Sequence, residues 1–563
     1  MERMQSSSLY ASSNCLKIHM IFFWKAELIG TTLKMEGGFF VVFFPHIFSG
    51  AVQTTDIQLQ EGGVVMGFFK QRKNQPVQEK VIREDKMPPH RSTASLEKNI
   101  QYLQNELRNS TDLKIRLLPG NKQALVYIDD ITDSDKMQRY IFEPLLKTDG
   151  NIAKVKDREE SDDLNKAITA LLEGKAVYLV EGDSALYFFN VQQNVVRAID
   201  EPMNEKVIKG SHDGFNEDIK QNINLIRRRI QHRSLTIKKQ TVGDYTESEI
   251  ALIYVDGIAN PEVVEELEKR VKSIKIDALL SAGAFSEYIE DRSYSIFPQF
   301  LSTERPDKTV AQLMEGRIAI LFANNPTCLI APVTFYAFYQ SPDDYNTRWI
   351  VATYIRLIRL FSFILAITLP SFYIAVVGFH YEVIPEELIS PVLGAIRDIA
   401  YPPIVEAILM VIVIELIRES GIRLPSPIGS TIGIVGGLVI GDAIVTAGLV
   451  SNLMVIVIAL TSLASFLVPS NEMSDSLRVL TFPLIILSSI LGFIGIAFGL
   501  LMVLIHLCRM ESLGLSYFTP IQFRDLKDTV IRVPQFLMKR RPDQVESPRP
   551  YMSNELGDDH GEK

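Results

Sequence analysis

Apolar positions are spread unevenly along this chain. Before Trp349 they come in short runs broken by charge; from Ile350 to about Arg509 they merge into long runs, and a polar tail follows. Two kinds of structure are therefore expected, a mixed half and a membrane half. In the mixed half, Ala124–Ile131 (ALVYIDDI) and Ala251–Ile258 (ALIYVDGI) each read as a buried strand ending in an acidic turn. Each follows a plausible partner strand and precedes a helix-like segment, with Ser134 or Asn260 at the cap position. LEGKAVYLVEG at Leu172–Gly182 is echoed by MEGRIAILFAN at Met314–Asn324. The pattern predicts two α/β units of the same order, residues 90–205 and 215–340, with sheets covered by helices.

The apolar half, residues 349–509, contains five runs: Ile350–Val377, Ile404–Ile417, Ile428–Leu449, Leu453–Val468 and Leu477–Leu507. A helical span needs about 20 residues. Arg348, Arg356 and Arg359 precede or open the first run, Arg418 and Arg423 sit near residue 420, and Lys539, Arg540 and Arg541 lie in the 510–563 tail. HYEVIPEEL at His380–Leu388 and SNEMSD at Ser470–Asp475 are acidic. The positive-inside rule then places both termini and the 420 loop in the cytoplasm and both acidic loops outside. An odd number of crossings must separate residues 423 and 470, yet two runs lie between. The expected solution is four full spans plus one re-entrant or broken helix, the glycine-rich run.

That run has its own periodicity. Gly429, Gly433, Gly437 and Gly441 recur every four residues and form a ribbon suited to close helix packing. Across from it lie Thr431, Val435, Leu438, Val439 and Asp442, a face expected to line a pore. A carboxylate facing lipid would cost about 2.5–3.5 kcal/mol, which a water-lined wall or a polar partner such as Arg418 or Arg423 avoids. Gly495 and Gly499 form a second packing ribbon. Glu406 and Glu415 are nine residues apart on one predicted helix and face opposite sides, so at least one should point into protein.

Composition narrows the chemistry. A net charge of −9 without an arginine-rich, aromatic-interleaved face argues against nucleic acid. Cys15, Cys328 and Cys508 are far apart and lack metal-ligand spacing, so neither a disulfide framework nor a metal site is expected. Nucleotide-binding, serine-hydrolase and zinc-protease motifs are absent. Asp129, Asp130 and Asp256 read as turn residues rather than ligands, and neither enzymatic activity nor a cofactor is expected. Residues 1–65 lack periodicity, and Glu61–Gly63 in EGGVVMGFFKQRK reads as a translated ribosome-binding sequence. Translation is expected to start at Met66, followed by a flexible lead-in, 66–89.

The segments RRRIQHRSLTIKKQ, SEYIEDRSYSIFPQ, TERPDKTVAQLMEGRIAILFANNP, IRESGIRLPSPIGSTIGIVGGLVIGDAIV and VPSNEMSDSLR, in this order, resemble the A subunit of the GerA-type spore germinant receptors. The resemblance covers about residues 86–525. It implies a multi-pass protein of the spore inner membrane, associated with a permease-like B subunit and a lipoprotein C subunit. It also implies assembly into a pentameric, nutrient-gated cation channel. The stage V AF sporulation protein resembles the same family. Two other readings are a secondary transporter, which predicts repeated sets of membrane segments, and a membrane-anchored scaffold.

Overall fold

The structure, a computed structural model, describes residues 90–118, 122–147, 158–193, 201–202, 204–207, 209–397, 399–423, 426–518 and 526–552, with the side chains of 146–147, 426–435 and 526–527 excepted. The expectations for 1–65 and 66–89 lie outside the described residues.

The duplication is present in three dimensions. The first unit carries α1 (Leu96–Glu106), β1 (Leu113–Leu117), β2 (Gln123–Ile128), β3 (Glu159–Ser161), α2 (Leu164–Leu172), β4 (Lys175–Val180) and β5 (Leu186–Asn190). The second carries α3 (Ile219–Arg229), β6 (Leu235–Val242), β7 (Ser248–Val255), α4 (Pro261–Ser273), α5 (Ala282–Ile289), β8 (Leu301–Thr303), α6 (Pro306–Glu315), β9 (Ile318–Phe322) and β10 (Asn325–Ala331). Both sheets are antiparallel, with orders β1-β2-β4-β5-β3 and β6-β7-β9-β10-β8. Strand for strand these are the same sheet. Asn260 caps α4 by accepting from the Glu262 amide at 3.0 Å. In the first unit the short helix Ser134–Met137 is capped by Asp133, one residue before the expected Ser134, because its carboxylate reaches the Asp135 and Lys136 amides.

Strand alternation divides the second sheet between two cores. Ile250 and Leu252 pack under α4 and α5. Ala251 and Ile253 face the other way, into a core containing Ile223 and Ile226 of α3 together with Ile367, Leu477 and Leu507 of the apolar half. The second sheet and the helical bundle therefore share one continuous hydrophobic core.

The apolar half consists of α7 (Trp349–Phe379), α8 (Glu386–Arg397), α9 (Pro403–Arg423), α10 (Ser426–Thr446), α11 (Asn452–Phe466), α12 (Asn471–Leu491) and α13 (Phe493–Arg509). Among the described residues, α7 and α12 are long and apolar enough to cross a membrane, and α11 and α13 are shorter apolar helices. The run Leu477–Leu507 is thus not one span. It folds back at Gly492, whose φ of +61° suits glycine and whose turn abuts Phe379 and His380 at the end of α7.

Helix directions correct the expected loop placement. Arg418 of α9 lies 3.9 Å from Asp475 at the start of α12, and Arg478 lies 3.3 Å from Glu415. Ser476 donates to the Ile296 carbonyl of the second α/β unit at 2.7 Å. The 420 loop and the acidic loop Ser470–Asp475 therefore share the end that faces the sheets, instead of lying on opposite faces. The positive-inside rule weighs Lys and Arg and gives little weight to Asp and Glu, so acidity alone did not define an outer loop. With α10 running outward and α11 returning, the chain needs no re-entrant element there, and Ser426–Thr446 is one helix.

Candidate functional site

The acidic turn residues of the sheets join the two repeats. Lys220 reaches Asp129 at 2.8 Å, Lys239 reaches Asp130 at 2.8 Å, and Arg108 reaches Asp256 at 3.0 Å, each pair crossing between units. A fourth pair, Arg227 with Asp112 at 2.6 Å, is almost wholly buried. Beside it the Thr111 amide donates to the Ile237 carbonyl at 2.9 Å. Burial pushes Asp130 up to about 6, against the pull of Lys239. Once paired in this way, these carboxylates hold the repeats together. Sequence spacing could not reveal this, because each partner comes from the other repeat.

In the helical half the two glutamates of α9 sit in different surroundings. Glu406 is 1% exposed. Its carboxylate accepts from the Ser451 amide at 2.5 Å and also from the Ser451 hydroxyl. That hydroxyl in turn accepts from the Met454 amide at 3.1 Å, and Tyr373 lies 3.2 Å away. The arrangement ties α7, α9 and the start of α11 together, placing a carboxylate where helix dipole and free amides favour negative charge. The second carboxylate oxygen has no partner among the described residues.

Glu415, on the opposite side of α9, also meets protein. It pairs with Arg418 and, at 3.3 Å, with Arg478. The pair borders a void of about 30 Å³ lined by Thr461, Ser462, Ser465 and Thr481, sized for one water molecule. Both glutamates reach protein because α9 packs against α11, α12 and α7.

The helix α10 is different. It packs against α9 and buries no described side chain. Leu438 and Val439 are 73% and 58% exposed, and Asp442 is exposed beside them. Asp442 has no ion pair among the described residues, since Arg418 turns to Glu415 and Asp475 and Arg423 to Glu419. Thr431, Val435, Gly429 and Gly433 fall where side chains lie outside the described residues. A Cβ built at Gly437 or Gly441 meets nothing within 4 Å, so this part of the ribbon is not covered by another helix of the same chain. At Gly495 and Gly499 the added atom would come within 2.1 Å of the Leu487 carbonyl oxygen and 2.5 Å of Leu484 Cδ2, where α13 folds back on α12.

No group of His, Cys, Asp or Glu among the described residues is arranged to hold a metal, and Cys328 and Cys508 are free thiols.

Residues 101–544 match the family described as Bacillus/Clostridium GerA spore germination protein. Spore germination protein B1 of Bacillus subtilis (strain 168) is 39% identical over 471 residues, 80% of this chain and 97% of that one. YfkQ of the same strain, described as a membrane protein, is 37% identical over 465 residues, 80% of this chain and 91% of its own length. The crystal structure of the N-terminal domain of the A subunit of the Bacillus megaterium spore germinant receptor GerK3 aligns with 29% identity and a TM-score of 0.34, covering 44% of this chain and 99% of that one. This chain belongs to the GerA family of spore germination proteins.

Proposed function

We propose that this chain is the A subunit of a nutrient-sensing germinant receptor in the spore inner membrane and that copies of it form a cation channel lined by α10. The observation that carries the channel reading is the uncovered face of Leu438, Val439 and Asp442 on a helix whose main packing partner among the described residues is α9. A carboxylate in lipid is costly, by about 2.5–3.5 kcal/mol on insertion scales, whereas around a symmetry axis it meets water. Carboxylate rings draw in cations and apolar rings gate by dewetting. Thr431 and Val435 continue the same helical face as Leu438 and Asp442, which makes Val435 the candidate constriction. The open ribbon at Gly437 and Gly441 suits a neighbouring copy better than a helix of the same chain. Assembly as a pentamer with permease-like B and lipoprotein C partners, which the family resemblance implies, is part of the same proposal. Described residues of the tail sit on the second α/β unit, with Ser547 donating to the Ile258 carbonyl at 2.6 Å. This supports a cytoplasmic C-terminus if the sheets are cytoplasmic.

The test is current recording from receptor reconstituted with its partners. Val435→Ala should wet the constriction and leak without nutrient, while Asp442→Asn should stay closed at rest and lose preference for cations. Wild-type behaviour of both variants in resting leak, selectivity and nutrient response would remove α10 from the pore.

A further inference from the structure

On α13, Ile494, Phe498, Leu501 and Ile505 form an exposed stripe, 72%, 53%, 51% and 45% accessible. Their spacing puts them on one helical face. Because α13 folds back along α12, a helix long and apolar enough to cross a bilayer, that face looks outward at membrane depth. It ends abruptly at Cys508 and Arg509, both exposed. There an open cleft of about 610 Å³ is lined by Arg292, Arg509, Met510, Glu511 and Ser516.

Arg292 comes from the loop between α5 and β8, and that loop is fixed to the helix end. Ser295 Oγ lies 2.9 Å from His506 Nε2 and donates to Met510 Sδ at 3.3 Å. The Arg292 backbone is held on both sides by Gln299, at 3.1 and 2.8 Å. Asp291, the acid next in sequence, is engaged by Arg270 at 2.7 Å through one oxygen, and its other oxygen accepts from the Gly514 amide at the cleft edge at 3.4 Å. Among the described residues neither guanidinium of the cleft has an ion-pair partner, and Glu511 is the one carboxylate in its lining. Two residues from Arg292 the Tyr294 side chain is fully exposed.

We infer that this cleft binds the phosphate of an anionic phospholipid from the leaflet facing the α/β units. The two guanidiniums supply the planar, forked donors that suit phosphate oxygens, and Ser516 offers a hydroxyl. Glu511 leaves the lining side chains net positive by one charge, and Asp291 at the edge is offset by Arg270. The acyl chains run along the Phe498, Leu501 and Ile505 stripe. Tyr294 sits in the headgroup layer, where amphipathic aromatic rings concentrate. The site would hold the second α/β unit against the membrane surface and make its position sensitive to lipid charge.

The assignment rests on the membrane reading above. Full-length protein is floated with vesicles, and its unfolding temperature is then measured in detergent with added phosphatidylglycerol, phosphatidylcholine or inorganic phosphate. Wild type should float and should be stabilised by phosphatidylglycerol beyond phosphatidylcholine, with the difference shrinking in high salt. Arg292→Ala with Arg509→Ala should abolish that difference while still floating, and the double lysine variant should retain much of it. Tyr294→Trp should add blue-shifted emission on vesicle binding. Failure of wild type to float overturns the membrane reading together with the lipid site. Flotation with no headgroup preference, an unchanged preference in the double alanine variant, or equal stabilisation by inorganic phosphate overturns the lipid site alone.

Discussion

Glu406, inside α9, accepts a hydrogen bond from the backbone amide of Ser451, the N-cap of α11, at 2.5 Å. A buried carboxylate thus closes the contact among three helices that the chain reaches only after passing through α10. Removing it leaves the Ser451 amide and hydroxyl without their acceptor. Glu406→Leu should lower stability by about 1–3 kcal/mol, whereas Glu406→Gln, which keeps an acceptor oxygen, should lose less. Thermal unfolding of the two variants in detergent decides this, and equal losses would mean that the charge, which both variants remove, and not an acceptor oxygen as such, holds the contact.

The two glycine ribbons should respond oppositely to alanine. At Gly495 a Cβ would meet the Leu487 backbone oxygen, which has little freedom to move, so Gly495→Ala should destabilise by about 1–3 kcal/mol through overpacking. At Gly437 the space is open, and alanine should favour the helix by up to about 1 kcal/mol. If Gly437 faces another copy, its variant should be stable as a chain yet poorer at assembling. Unfolding temperature and size-exclusion profile, read together, separate the two effects.

Loop sidedness is open to cysteine labelling in a background where the exposed Cys508 is serine. Cysteines placed at Arg423 and Asn471 should react from the same face, because Arg418 and Asp475 meet at one end of the bundle. A cysteine at Glu386 should react from the other. Labelling of Arg423 and Asn471 from opposite faces would restore the re-entrant scheme and contradict the helix directions described above.

Glu290 gives a pH signature. Burial foremost, then the neighbouring Glu472 and Glu287, push it up to about 7. An unfolded glutamate titrates near about 4.3, so between these values the folded chain holds a proton that the unfolded chain has released. The stability linked to this group is fully present below the unfolded value and is lost as pH rises through about 7. Glu290→Gln should flatten the fall in unfolding temperature over this window. An unchanged slope would assign the effect to other groups.

The sequence by itself determined the repeat and the division into halves. Period-two apolar strands followed by acidic turns recur with local spacing, and local spacing is what sequence records. It also located the α10 glycines and Asp442, since four-residue periodicity needs no partner to be read. Tertiary structure alone decided what those residues meet. Asp129, Asp130 and Asp256 became links between repeats because their cations lie on the other repeat. Leu477–Leu507 became a hairpin because one glycine can adopt a positive φ against Phe379 and His380. Ser470–Asp475 joined the sheet end because Arg418 and Arg478 reach Asp475 and the next residue, Ser476, donates to the Ile296 carbonyl there. Apolar runs show how far a chain can travel through a bilayer, but its direction of travel is set by contacts between residues far apart in sequence.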